Sequence, residues 1–206
     1  MRLLVLFCVL LPLSAVQAQE LLSVDDPRWP SDYDRYFRKY TKRYFGPAFD
    51  WRWFKAQAIA ESNLDPRSSS HAGAIGLMQI LPATYREIRE RNPHFKRIRD
   101  PEWNIAAGIY YDRLLYRKWR EPLPDRDRLL LAFASYNAGY VRIRRIFRRL
   151  SAQLEHTPFW NDLEPLVPGQ TRHYVRKIVG LVEGKPRGPT RRLRGVEKFL
   201  ALNQPS

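Results

Sequence analysis

The sequence predicts an all-α (mainly α) single domain, and three observations carry that expectation. Apolar residues recur at spacings of three and four along nearly every segment between residues 31 and 183. Helix-starting and helix-ending residues stand at the borders of those segments. No alternating apolar–polar run reaches four clear repeats, although a very small β-hairpin fits between residues 66 and 76. With 206 residues, 44% of them apolar, the chain has the length of one domain and enough material for a core.

Each element follows in order. Residues 31–44 place Tyr33, Tyr36, Phe37, Tyr40 and Tyr44 close to helical spacing. In residues 51–62, WRWFKAQAIAES, Trp51, Phe54, Ala58 and Glu61 share one helical face. Asp50 suits the N-cap of that helix, and Asn63 with Pro66 ends it. Pro82 opens a helix to about Arg91, with Ile88 turned inward. Asp100-Pro101 starts the next, whose buried stripe reads Trp103, Ala106, Ala107, Tyr110, Tyr111, Leu114 and Leu115. Residues 125–138 follow, closed by Gly139, then residues 141–150. Thr157-Pro158 begins a short turn of helix, and residues 171–182 form the last clear one. Residues 19–30 read as an irregular leader. Residues 184–206 read as a Pro/Gly/basic tail with a short helix near 196–200. There is no internal repeat.

The first 18 residues stand apart. Met1-Arg2 gives a positive start, residues 3–13 an almost unbroken apolar run, and Val16-Gln17-Ala18 a small-residue cleavage pattern. The run is short for a membrane span, so a secretory signal cut after Ala18 is expected. Cys8, the one cysteine, lies inside it, and its neighbour Phe7 is too large for a lipoprotein cleavage site. The mature chain then has no disulfide and no thiol ligand. His71, His94, His156 and His173 show no ligand spacing, so neither metal nor cofactor is expected.

Net charge is +15, or +14 once the signal removes Arg2 and no acidic residue. Such a secreted chain is drawn to an anionic partner, whether wall polymer or membrane surface, and the basic tail (Arg191, Arg192, Arg194, Lys198) is a candidate contact. Nucleic acid is excluded as a partner: no zinc-finger or RNP pattern occurs, and secretion opposes it. Arg142, Arg144, Arg145, Arg148 and Arg149 face away from Ile143, Ile146, Phe147 and Leu150, which describes a solvated amphipathic face.

Glu61 is the candidate for chemistry. A carboxyl on the Trp51/Phe54/Ala58 face loses hydration, which disfavours its ionised form and suits a general acid near neutral pH. The alternative is a glutamate at a helix end reaching out to water. No convincing second carboxylate accompanies it: Asp65 precedes Pro66 in a turn, while Asp100 and Asp125 stand where caps stand.

The run ESNLDPRSSSHAGAIGLMQILP at 61–82 resembles the signature of lytic transglycosylases with a soluble-lytic-transglycosylase (SLT) domain, which share a goose-lysozyme-like fold. The similarity continues through DPEWNIAAGIYYDRLL, ASYNAG at 134–139 and QTRHYVRKI at 170–178, in the same order. It covers residues 31–183, between the leader and the tail. The resemblance implies that Glu61 is the single catalytic acid and base. It implies sugar contacts from Ser70, Gln79, Leu81, Tyr136, Asn137 and Tyr174, and structural roles near the site for Ser62, Gly76 and Met78. Leu81 stands where many members carry Met, Ser135 where Ala is commoner, and Gln170 where Glu is usual. Taken alone, Ser70 reads as a turn residue, and Tyr136 and Tyr174 as core aromatics with a satisfied hydroxyl.

The activity so implied is periplasmic cleavage of peptidoglycan glycan strands. Most glycoside hydrolases use two carboxylates. One carboxyl suits a substrate-assisted, non-hydrolytic cut between N-acetylmuramic acid and N-acetylglucosamine, giving 1,6-anhydromuramic ends. A hydrolytic muramidase on the same fold and a non-catalytic wall-binding module are the alternatives.

Overall fold

The computed structural model describes residues 23–184, and eight α-helices account for most of them. They are α1 (Asp34–Phe45), α2 (Arg52–Ser62), α3 (Pro82–Arg91), α4 (Pro101–Lys118), α5 (Asp125–Ala138), α6 (Tyr140–Ser151), α7 (Trp160–Leu163) and α8 (Gly169–Glu183). A 3₁₀ turn, Glu164–Leu166, follows α7. The expected signal at 1–18, most of the tail and the short helix at 196–200 lie outside the described residues. No helix among the described residues is long and apolar enough to cross a membrane.

The all-α expectation is met, and the hairpin is not. Between 66 and 80 only two isolated antiparallel bridges form, Ser69 with Ile75 and Ile75 with Ile80. Caps explain several boundaries. Asp100 accepts from the Glu102 amide at 3.2 Å and starts α4 as expected. Asp50 does accept from the Arg52 amide at 3.0 Å, but Trp51 is the N-cap residue, so α2 begins one residue late. Asp125 is no cap. It stands in the first helical turn of α5 and accepts from the Tyr116 hydroxyl at 2.6 Å.

The core is broader than the stripes suggested. In α2 every residue from Phe54 to Ile59 is buried, and in α5 every residue from Leu129 to Ser135. Residues 104–109 of α4 are likewise all buried, so Ile105 and Ile109 join the core. Trp103, Tyr110, Tyr111 and Leu114 of the expected stripe are only partly covered. A central helix is enclosed on all sides, so apolar periodicity understates its burial. Lys55 in α2 is accordingly buried and held by Asp34 at 2.7 Å. Around this centre α2 packs chiefly on α8, and α4 on α1 and α5. The leader also joins the packed body: Val24 is buried, and its amide donates to the Leu181 carbonyl at 2.8 Å.

One close approach fixes the loop before α3. A Cβ on Gly108 of α4 would lie 2.7 Å from Met78 Cγ and 2.8 Å from Met78 Cβ. Helix propensity alone favours Ala over Gly by about 1 kcal/mol, whereas overpacking a dense core costs about 1–3 kcal/mol. The root of the Met78 side chain cannot swing away, so the clash wins. Gly108→Ala is therefore expected to lower the unfolding midpoint in a thermal melt.

Candidate active site

Glu61 lies in the last turn of α2, partly buried, and Tyr174 of α8 donates its hydroxyl to Glu61 Oε1 at 2.7 Å. These residues are 113 positions apart in sequence and meet because α2 packs along α8. Burial pushes the Glu61 carboxyl up to about 7, against opposing pulls from the Tyr174 hydrogen bond and the nearby Lys177 charge. A group near 7 is half protonated at neutral pH, as a residue serving first as acid and then as base requires. Lys177 itself donates to the Ile59 carbonyl at 3.2 Å and to Asn63 Oδ1 at 3.4 Å. Burial lowers its pKa while Glu61 raises it.

Tyr174→Phe gives a direct reading of these forces. The lost hydroxyl favours the ionised carboxylate, so its removal should raise Glu61 above about 7. Titration of the Glu61 side-chain carboxyl by NMR would show the shift.

The chain turns sharply after Glu61. Asn63 and Leu64 both adopt left-handed backbone, φ 53 and 61°, and Gln79 does so at φ 44°. These are the three non-glycine residues with positive φ among the described residues, and all flank Glu61 or the GLMQ run. Strain of this kind costs about 1–3 kcal/mol per residue and persists only where the surroundings fix it. Here hydrogen bonds do so. Ser62 Oγ donates to the Leu77 carbonyl at 2.9 Å, joining the end of α2 to the GLMQ loop. Gln79 Nε2 donates to the Gly76 carbonyl at 2.9 Å and the Ser68 carbonyl at 3.3 Å. Tyr136 donates to the Met78 carbonyl at 2.7 Å, and its ring meets Tyr111 edge-on at 5.3 Å. Gly76 has φ 77°, and a Cβ there would fall 2.7 Å from Asn104 Nδ2.

Asn104 is a residue the sequence reasoning passed over within the EWN run. It is buried on α4, accepts from the Met78 amide at 2.8 Å, and donates to the carbonyls of Ile75 at 2.9 Å and Ile98 at 3.0 Å. Its role arises from contacts between α4 and residues 75–98, which no spacing along the helix marks. Lys177 was missed for want of any pattern linking it to Glu61.

The remaining expected residues are placed less centrally. Asn137 Oδ1 accepts from Thr171 Oγ1 at 2.9 Å, which ties α5 to α8 one turn before Tyr174. Ser70 is exposed, and its Oγ accepts from the Ala74 amide at 3.1 Å, closing a turn. Leu81 is 43% exposed at the start of α3. The chain therefore brings Glu61, Ser62, Tyr174 and the GLMQ loop together, with Tyr136 behind the loop.

The sequence reading also overlooked a carboxyl. Asp112 of α4 is wholly buried, and its Oδ1 accepts from Gln57 Nε2 at 3.2 Å. Burial raises its pKa well above the carboxylate range, opposed by the Gln57 hydrogen bond and reinforced by Glu61.

Against known families, the model for the transglycosylase SLT domain matches residues 35–157, more than half of the chain. The chain belongs to the SLT-domain family. The chain is 34% identical over 130 residues to membrane-bound lytic murein transglycosylase F of Shewanella sp. strain W3-18-1, covering 62% of this chain and 26% of that protein. The corresponding protein of Desulfosudis oleivorans is 34% identical over 139 residues, covering 66% and 29%. The chain thus spans about a quarter of the length of these curated relatives. Among solved structures, the 70 kDa soluble lytic transglycosylase of Escherichia coli superposes with TM-score 0.60 at 25% identity, over 75% of this chain and 24% of that one. An inactive mutant of lytic transglycosylase Slt from Pseudomonas aeruginosa gives TM-score 0.62 at 24% identity, over the same shares. The SLT fold expected from the four motifs is the fold observed.

Proposed function

We propose that this chain is a peptidoglycan lytic transglycosylase that cuts the β-1,4 bond between N-acetylmuramic acid and N-acetylglucosamine without consuming water. The observation that carries the reading is the partly buried carboxyl of Glu61 accepting the Tyr174 hydroxyl at 2.7 Å, in a chain whose residues 35–157 match the SLT domain. The curated relatives named above are lytic murein transglycosylases, and the same activity is proposed for this chain.

Tyr174 occupies Glu61 Oε1, so the transferable proton sits on Oε2. Glu61 gives that proton to the glycosidic oxygen. The bond from that oxygen to C1 of the muramic acid breaks, and its electron pair stays with the departing N-acetylglucosamine, which gains a hydroxyl. The muramic acid's acetamido oxygen bonds to C1 and holds the positive charge. Ionised Glu61 then removes the proton from the same sugar's C6 hydroxyl, whose oxygen closes on C1 and displaces the acetamido oxygen. Over the two steps the glycosidic C1–O bond is exchanged for a C1–O6 bond, Glu61 ends protonated by the C6 hydroxyl's proton, and the product is a 1,6-anhydromuramic end. Ser70, Gln79, Leu81, Tyr136 and Asn137 are assigned to the sugar-binding surface, with Ser62, Gly76 and Met78 shaping it. The proposed organisation is a signal at 1–18, a leader at 19–30, the catalytic domain at 31–183 and a basic tail at 184–206 that contacts anionic wall or membrane surface, all in the periplasm.

Product analysis tests the reaction. Purified protein incubated with peptidoglycan should release anhydro-ended muropeptides by mass spectrometry. Reducing ends would indicate a hydrolytic muramidase, and absence of cleavage a wall-binding module. Asp112 does not favour hydrolysis, because a carboxyl with no exposed surface cannot reach a sugar.

A further inference from the structure

Two buried polar atoms beneath the candidate active site have no partner. Gln57 Nε2 donates to Asp112 Oδ1 at 3.2 Å, yet Gln57 Oε1 and Asp112 Oδ2 of the same two side chains are buried and unsatisfied. Both residues are completely inaccessible. None of the ion pairs among the described residues involves Asp112. A carboxylate here would be a buried charge without a counter-ion, which is among the costliest arrangements in a core. One proton on Oδ2 resolves both vacancies. A carboxylic acid and a primary amide face to face form a ring in which each donates once and accepts once.

We propose that Asp112 carries its proton and closes an acid–amide ring with Gln57, and that this ring is a positioning device for Glu61. Gln57 lies one helical turn before Glu61 on α2, so the ring clamps that turn of α2 against α4. It also keeps the floor of the site neutral. Charge on Asp112 would act on Glu61, Tyr136 and Tyr174, all within its electrostatic reach. The other titratable groups around this cluster are Tyr111 of α4, Glu87 of α3 beside Tyr111, and Lys177 of α8 beside Glu61. With Asp112 neutral, Glu61 can ionise after giving up its proton without opposing a second negative charge.

The positioning role rests on the lytic transglycosylase reading, whereas the ring can be measured without substrate. In Glu61→Gln protein at about pH 7, infrared spectra should contain a protonated-carboxyl band that vanishes when Asp112→Asn is added. In an otherwise native chain, Asp112→Asn keeps a donor and an acceptor in place. It should leave both the Glu61 titration and kcat close to those of the parent. Asp112→Leu leaves both polar groups of Gln57 unpaired and should lower kcat about 10- to 100-fold with KM little changed, as misplaced catalytic groups do. Rescue by Asn of what Leu destroys separates positioning from mere volume. Absence of the band would overturn the proposal. So would a downward shift of the Glu61 titration in Asp112→Asn, or an Asp112→Leu protein with parental kcat. Should Asp112→Leu fail to fold, the infrared band and the Asn variant still decide. A parent that cleaves no peptidoglycan would sink the enzymatic reading while leaving the spectroscopic result to stand or fall separately.

Discussion

Glu61→Gln should abolish nearly all peptidoglycan cleavage while making the protein more stable above neutral pH. An amide has no acidic proton, and general acid–base catalysis accounts for about 10² to 10⁴ in rate. In the proposed mechanism one group serves both steps, so the loss should reach the upper part of that range. The stability gain follows from the carboxyl's displacement from 4.5 to about 7 in the folded chain. Below 4.5 the group is protonated in both states and costs nothing. Between 4.5 and about 7 the unfolded chain releases the proton that the folded chain retains, so stability falls as pH rises. Above that window the penalty is constant at about 3 kcal/mol, from 1.36 kcal/mol per pKa unit over the rise from 4.5 to about 7. Glutamine escapes it and still accepts from Tyr174. Thermal melts should therefore separate the two proteins at about pH 8, by about 2–4 °C per kcal/mol for a chain of this size, and nearly coincide at about pH 4.

The second large effect is expected from Asn104→Leu. The substitution strips partners from three backbone groups at once, the Met78 amide and the carbonyls of Ile75 and Ile98. Each buried group left unsatisfied costs about 1–3 kcal/mol, so the three together come to about 3–9 kcal/mol. That is a large part of the 5–15 kcal/mol by which a domain is usually stable. Denaturant unfolding should register the loss. Amide exchange should show Met78 losing its protection, because its hydrogen bond holds the GLMQ loop to α4. Activity should fall even where the fold survives, since that loop receives Ser62 from the end of α2 and Tyr136 from α5.

Much of this was legible in the sequence. Asp100-Pro101 and Gly139 mark helix ends by backbone chemistry that acts locally, and the structure places them there. Glu61 and Tyr174 were paired through the order of four motifs, and the 2.7 Å hydrogen bond joins them. Other features depend on what surrounds a residue. Asp112 interrupts an apolar helix and reads as a solvent-facing position, because its burial comes from neighbours on α2. Lys177 and Asn104 act through packing across elements far apart in sequence, which spacing along one helix cannot reveal. The turn at 66–76 carried strand-like signals, but side-chain hydrogen bonds from Gln79 and to Ser70 take up backbone groups that a hairpin ladder would have used.

In the proposed mechanism one carboxyl, Glu61, closes the sugar on itself with no water consumed. Cleavage of peptidoglycan in water enriched in ¹⁸O tests this directly, with mass spectrometry of the released muropeptides. The native chain should yield anhydro ends free of the label, and Glu61→Gln should yield almost none of them. Label at C1 of a reducing end, or equal release by the Glu61→Gln protein, would contradict the claim.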